Sequence, residues 1–218
     1  NPIIQTLKRK ALEYKNKLSK YKFLITCEHG QQIEIRFEAR FFPHMIGLHK
    51  MDDIEPFKSF ANKKISANTI FKEILAGQIT MNNVTQSTYY NYPPTNISKG
   101  EETKYIKERL DSFSIKKMND IFSNKIIINF NPKTVYTTMG NVEIILYNNT
   151  SKRYYHLMLG RNVAGYYFPS SFIVEPSDKY VKNQITTNAK KLEIMDYKTR
   201  KIILEYTYNI PLKGKEIH

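Results

Sequence analysis

The sequence predicts an α+β fold in which N-terminal helices pack on a twisted antiparallel β-sheet, with a helical insertion at about residues 52–124 of a single domain spanning 1–218. Three observations lead there. Apolar residues recur at helical spacing over much of the chain before residue 124, β-rich runs dominate after it, and an early pair of short β-rich runs forms a candidate hairpin. With 218 residues and 41% hydrophobic content, the chain can bury one good-sized core.

Residues 3–20 place Ile3, Ile4, Leu7, Ala11, Tyr14 and Leu18 three to four apart with lysines opposite, which predicts an amphipathic first helix. Runs 21–28 and 31–38 follow as strands, separated by His29-Gly30, where glycine permits the positive φ of a tight turn. His29 is therefore a turn histidine. Residues 41–50 form a short helix opened by Pro43 and broken near Gly47. From 52 to 100 one helix is expected, at 67–76, among polar and loop-like stretches ending in Tyr89-Tyr90-Asn91-Tyr92-Pro93-Pro94. Those tyrosines suit either base stacking or packing of a loop against a sheet. Residues 100–124 read as helical with a break at 112–114, and strands are expected at 125–130, 141–147, 153–159, 166–174, 191–197 and 201–208, the last two as a hairpin. A boundary between a helical lobe and the sheet would fall near 91–100 or 124–131.

The 34 Lys+Arg against 20 Asp+Glu give a formal charge of +14, which points to polyanionic partners, RNA or DNA before a membrane surface. A lysine- and asparagine-rich composition without tryptophan also fits the codon bias of an AT-rich genome. Cys27 is the only cysteine, which excludes an internal disulfide and a cysteine-based zinc cluster. No apolar run approaches a membrane span, and the start Asn1-Pro2-Ile3 lacks the order of a secretory signal, so a cytoplasmic location is expected. The first residue is not methionine, which leaves room for an upstream segment.

Residues 41–50 concentrate His44, His49 and Lys50 among apolar neighbours, a pattern that suits a site or the border of a core. On an ideal helix the two histidines diverge by about 140°, so they face one phosphate only if the chain turns at Gly47. His156 sits in an alternating strand on the side of Tyr154 and Met158, a face that can be either core or site. Arg161, at a strand end, suits a planar clamp on phosphate or a solvated turn; Ser170 and Ser171 suit phosphate binding or a turn. Acidic residues are scattered, and the adjacent Asp52 and Asp53 diverge, so neither a two-metal site nor any cofactor is expected; His44 and His49 would be the first ligands if a metal bound. RNA brings its own nucleophile, the 2′-hydroxyl, and a metal-free enzyme then needs a base, an acid and cations for the phosphorane. Histidine suits both proton roles.

The run Phe-x-His-Met-Ile-Gly-Leu-His-Lys resembles the Phe-Pro-His-Leu-x-Gly-Leu signature of phage and mobile-element nucleases grouped with barnase, EndoU, colicin-type ribonucleases and RelE, the BECR-fold nucleases. Residues 160–184, with Gly-Arg-Asn, Tyr-Tyr-Phe-Pro-Ser-Ser-Phe-Ile-Val-Glu and Asp-Lys-Tyr-Val-Lys-Asn-Gln, resemble the C-terminal part of such domains. The resemblance implies a metal-independent endoribonuclease leaving a 2′,3′-cyclic phosphate, acting as a toxin or defence effector of a phage or mobile element. It implies His44 for proton transfer and places Lys179 and Gln184 near the site with Lys50 and Ser170; His49, His156, Arg161 and Ser171 complete the candidate catalytic set. RNA, including tRNA, and an inhibitor or antitoxin protein are the expected partners. Two other classes compete: a nucleic-acid-binding accessory protein of a mobile element that does not cleave, and a protein-interaction module whose charge is incidental. Dependence on His44 and on salt separates the three.

Overall fold

A computed structural model of the chain describes residues 2–90, 106–135, 139–150 and 152–208, with side chains from Thr6 onward. The tyrosine-rich tip at 91–94, the boundary at 91–100 and the start of the helix expected at 100–124 lie outside the described residues, as do the side chains of Ile3 and Ile4.

Helix α1 (Pro2–Glu13) continues through a π-helical turn at Tyr14–Leu18, and its apolar stripe buries Leu7, Ala11, Tyr14 and Leu18. Strands β1 (Tyr21–Cys27) and β2 (Gln32–Arg36) form the expected hairpin. At its turn both His29 (φ 62) and Gly30 (φ 88) are left-handed, so the histidine shares the strain that glycine relieves. Helix α2 (Phe42–Met45) follows. Helices α3 (Phe57–Ala61), α4 (Ala67–Leu75) and α5 (Met81–Thr85) come next; only α4 was expected, because α3 and α5 are single turns too short to show a period. The break expected at 112–114 separates α6 (Ile106–Ser112) from α7 (Ile115–Ser123), where the Ser114 side chain caps α7 by accepting from Lys117 N at 3.0 Å.

The remaining strands are β3 (Ile126–Asn129), β4 (Val142–Asn149), β5 (Tyr154–Arg161), β6 (Tyr167–Glu175), β7 (Ile185–Asp196) and β8 (Ile202–Thr207). The α+β class holds, but the sheet is not the open twisted layer expected from sequence. Pairing runs β1-β2-β6-β5-β4-β3-β7 and returns from β7 to β1, closing a seven-stranded barrel to which β8 is added on β7. Closure rests on two features without a local sequence signature. Strand β7 begins six residues before the expected run; it pairs with β3 through Ile185–Asn188 and with β1 from Ala189 onward, with a bulge at Lys190. The other closing contact, Ile35 with Tyr167 between β2 and β6, is parallel, so the sheet is not wholly antiparallel.

Strand alternation separates two cores. Leu157, Leu159, Phe172 and Val174 join one cluster with the helices and the first hairpin, whereas Ile145, Met158 and Ile173 point the other way into a second cluster closed by Tyr180.

Candidate active site

The segment between β2 and α3 is shaped by an inward and an outward set of residues. Phe42 is buried against Tyr14, Phe71 and Phe113, at ring centroid distances of 5.0, 5.4 and 6.0 Å, and Met45, Ile46 and Leu48 are buried with it. His44 is left exposed on the other side. Pro43 sits in the first turn of α2, where its missing N–H costs nothing, and Gly47 (φ 85) ends the helix and reverses the chain into a 3-10 turn, Leu48–Lys50. This reversal removes the divergence of an ideal helix: the rings of His44 and His49 lie 4.7 Å apart, tilted by 56°, with Phe60 against His44 at 4.6 Å.

Gly47 is required twice over. Beyond its left-handed φ, a Cβ there would overlap the Arg109 guanidinium and the tip of Ile106. Arg109 is fully buried; its Nε donates to Phe172 O at 2.6 Å and its Nη2 to Met45 O at 3.0 Å, tying α6, β6 and the histidine turn together. Burial draws its pKa down to about 9, which leaves it charged at neutral pH. Sequence reasoning missed this residue. The available signal was a cation on the apolar stripe of Ile106, Leu110 and Phe113.

His44 is held below the usual histidine range by partial burial and then by Lys50. His49 is pushed down to about 2 by burial, with His44, Lys50 and Arg109 adding to the shift, and its Nδ1 is buried without a hydrogen-bond partner. Both rings are therefore neutral near pH 7, and their proximity disfavours two imidazolium charges at once. The pair can accept a proton.

His44, His49 and Lys50 form a ridge between two clefts. The larger, about 710 Å³, is bounded by Phe60, Lys63, Ser66 and Tyr89, with Asp52 on its edge. The smaller, about 360 Å³, is bounded by Phe41, Phe168, Ser170, Ser171 and Asn141. A bulge in the β5–β6 pairing, where Met158 faces Ser171 and Leu159 faces Pro169, leaves Ser170 as the extra residue and turns both serines to the cleft.

Five of the nine residues expected from sequence thus meet at one place: His44, His49, Lys50, Ser170 and Ser171. The other four lie elsewhere. His156 shares the sheet face of Ser171 but sits deeper, 0% exposed beneath Tyr180, with Nδ1 3.0 Å from Ile173 O and Nε2 buried without a partner. Arg161 is exposed at the end of β5 opposite Tyr167 and lines neither cleft. Lys179 pairs with Glu175 at 3.3 Å and lies over the Tyr180 ring. Gln184 latches the loop after β3: its Oε1 accepts from Asn131 N at 2.8 Å and its Nε2 donates to Thr134 Oγ1 at 2.7 Å. Asp52 and Asp53 diverge as expected, Asp53 turning away to accept from Ser87 Oγ at 2.7 Å. Phe60 and Lys63 joined the site without any signal in the sequence, and Phe168 lies in the run Tyr-Tyr-Phe-Pro-Ser-Ser that carries the resemblance but was not itself singled out. Among the described residues no three His, Cys, Asp or Glu side chains are grouped to hold a metal, and no helix is long and apolar enough to cross a membrane.

Against known proteins, a family model described as phage-Barnase-EndoU-ColicinE5/D-RelE like nuclease 4 matches residues 6–216. No curated protein matches the chain, and neither does any solved structure.

Proposed function

The chain belongs to the phage-Barnase-EndoU-ColicinE5/D-RelE like nuclease 4 family, and from that premise we propose that it is a metal-independent endoribonuclease with its site on the His44–His49–Lys50 ridge. The observation that carries the reading is the two imidazole rings 4.7 Å apart beside a lysine. His44, more exposed and less depressed than His49, takes the proton from the 2′-hydroxyl as its oxygen attacks phosphorus. The new P–O2′ bond replaces the P–O5′ bond, giving a 2′,3′-cyclic phosphate and a free 5′-hydroxyl. Lys50 neutralises the phosphorane and supplies the proton for the leaving 5′-oxygen, a role closed to a histidine that stays neutral. Ser170 and Ser171 donate to the non-bridging oxygens. His49 holds His44 in place, and RNA contributes the nucleophile.

In the cell the enzyme acts in the cytoplasm as a toxin or defence effector of a phage or mobile element, on RNA that includes tRNA, with a cognate inhibitor protein restraining it. The basic surface also supports a second reading, a nucleic-acid-binding accessory protein that does not cleave. Incubating wild type and His44→Ala with total RNA, in EDTA and in magnesium, separates them. Cyclic-phosphate ends in EDTA that vanish with His44→Ala are expected. Intact RNA in every lane, bound in a salt-sensitive way, would establish the binding protein instead.

A further inference from the structure

The catalytic ridge divides two clefts, and that division constrains what can lie across it. Both clefts fall within or near the size range of about 300–1,000 Å³ typical of small-ligand sites, and the larger is about twice the smaller. Aromatic side chains line both: the half-buried Tyr89 with a nearly buried Phe60 on one side of the ridge, and on the other Phe41 and Phe168, whose rings stack on each other 4.8 Å apart and within 16° of parallel. An accessible ring such as Tyr89 stacks an unpaired base with little regard to sequence, and the edges of the stacked phenylalanines give the smaller cleft an apolar side.

The walls are built, not incidental. Asp53 accepts from Ser87 Oγ at 2.7 Å, Thr88 N at 2.9 Å and Thr88 Oγ1 at 3.0 Å, which fixes the chain immediately before Tyr89. On the other side Phe168 lies where a Cβ on Gly160 would meet its ring at 2.7 Å, so the glycine makes the space the ring occupies. The Arg40 guanidinium lies over Phe41 at 4.7 Å. Polar groups differ between the two: Lys63, Ser66 and Asp52 edge the larger cleft, and Asn141 with the two serines edges the smaller.

We infer that the substrate is an unpaired, unstacked dinucleotide step of RNA, its scissile phosphate on the His44–His49–Lys50 ridge and its two nucleosides turned apart, one into each cleft. The inference rests on the ribonuclease reading above and names its substrate class. Stacked bases of a duplex cannot enter clefts on opposite sides of one ridge. Turning the nucleosides apart also lets the 2′-oxygen approach in line with the P–O5′ bond, the alignment that phosphoryl transfer needs. The larger cleft, with polar groups of both signs around its aromatic wall, sets the base preference.

The test uses three RNAs of one sequence, a hairpin with the cut step in its loop, the same step in a perfect duplex, and a 2′-O-methyl single strand that cannot be cleaved. Ala61 also lines the larger cleft, so two variants, Tyr89→Ala and Ala61→Phe, strip and fill it, and their melting curves establish that both remain folded. Loop cleavage at least 100-fold faster than duplex cleavage is expected. Both variants should bind the 2′-O-methyl strand about 10-fold more weakly and shift the base preference at the cut. Equal cleavage of loop and duplex would overturn the inference, as would wild-type binding and base preference in both folded variants, although the ribonuclease reading would survive either result. If no RNA is cut but the 2′-O-methyl strand still binds in a manner that depends on Tyr89 and Ala61, the ribonuclease reading falls and the larger cleft stands as a strand-binding site.

Discussion

The ridge and the second core each hold a histidine with a depressed pKa and a buried, unpartnered ring nitrogen: His49 through Nδ1 and His156 through Nε2. By titration behaviour alone the two are alike, both kept neutral chiefly by burial. Access divides them. His49 lines two clefts and touches the exposed ring of His44, whereas His156 is sealed beneath Tyr180 and spends its other nitrogen on the Ile173 carbonyl. A perturbed pKa marks a candidate for chemistry only where a reacting group can reach it.

The sharpest way to break this comparison is to remove one histidine from each region. His44→Ala should lower RNA cleavage by about 10²–10⁴-fold, the usual worth of a general base, with little change in melting temperature. His156→Ala should reverse the pattern. Turnover per folded molecule stays within a few-fold of wild type, while chemical denaturation shows a loss of about 2–4 kcal/mol from the cavity beneath Tyr180. Loss of cleavage in a fully folded His156→Ala protein would place catalysis in the second core.

Gly47→Ala tests whether the ridge depends on its turn. The substitution forces a side chain into a left-handed backbone and into Arg109, and about 2–4 kcal/mol of stability should be lost. The two histidine rings should also separate, so that cleavage falls further than the folded fraction measured by circular dichroism. Cleavage that tracks the folded fraction alone would mean the turn supports the fold and not the pairing.

Acid sharpens the comparison further. A histidine held neutral in the fold, here to about 4 for His156 and about 2 for His49, binds fewer protons than its unfolded counterpart near 6.5. Stability is therefore complete above pH 6.5 and falls as pH drops through the window from 6.5 toward 4, by about 1.4 kcal/mol per pH unit for each group. Urea unfolding at pH 7 and pH 5 should show that loss. His156→Leu should remove one such contribution, about 1.4 kcal/mol per pH unit, without altering cleavage, and an unchanged slope would mean that His156 titrates normally.

The parts of the molecule legible in sequence are those set by local periodicity. Short β-rich runs marked β4 to β6, the spacing of Leu7, Ala11 and Tyr14 marked α1, and Gly47 announced the turn that joins the histidines. What escaped depends on contacts distant along the chain. Barrel closure needs β7 to pass from β3 to β1 with a bulge at Lys190, and the residues 185–190 that do so, Ile-Thr-Thr-Asn-Ala-Lys, carry no alternating apolar pattern. Phe60 and Phe168 reach the site from segments more than a hundred residues apart in sequence, and only the fold relates them. His156 was ambiguous for a related reason, since a strand shows which residues share a face and not how deep that face is covered.

The smallest expected effect is on the salt dependence of binding and concerns the lysines. Lys50 lines both clefts, whereas Lys179, on the second core, is joined to Glu175 at 3.3 Å. A lysine that meets a phosphate releases about one counterion, so Lys50→Ala should reduce the slope of log affinity for a 2′-O-methyl RNA against log salt by about one. Lys179→Ala should leave that slope unchanged and lower the melting temperature instead, because it strips a cation from a nearly buried carboxylate. The two substitutions remove the same charge from a protein of net charge +14, so any difference between them reports position and not total charge. Equal slopes for both variants would mean that RNA is held by the diffuse basic surface, and the ridge would then be a place where a bound strand is cut without being where its phosphate is gripped.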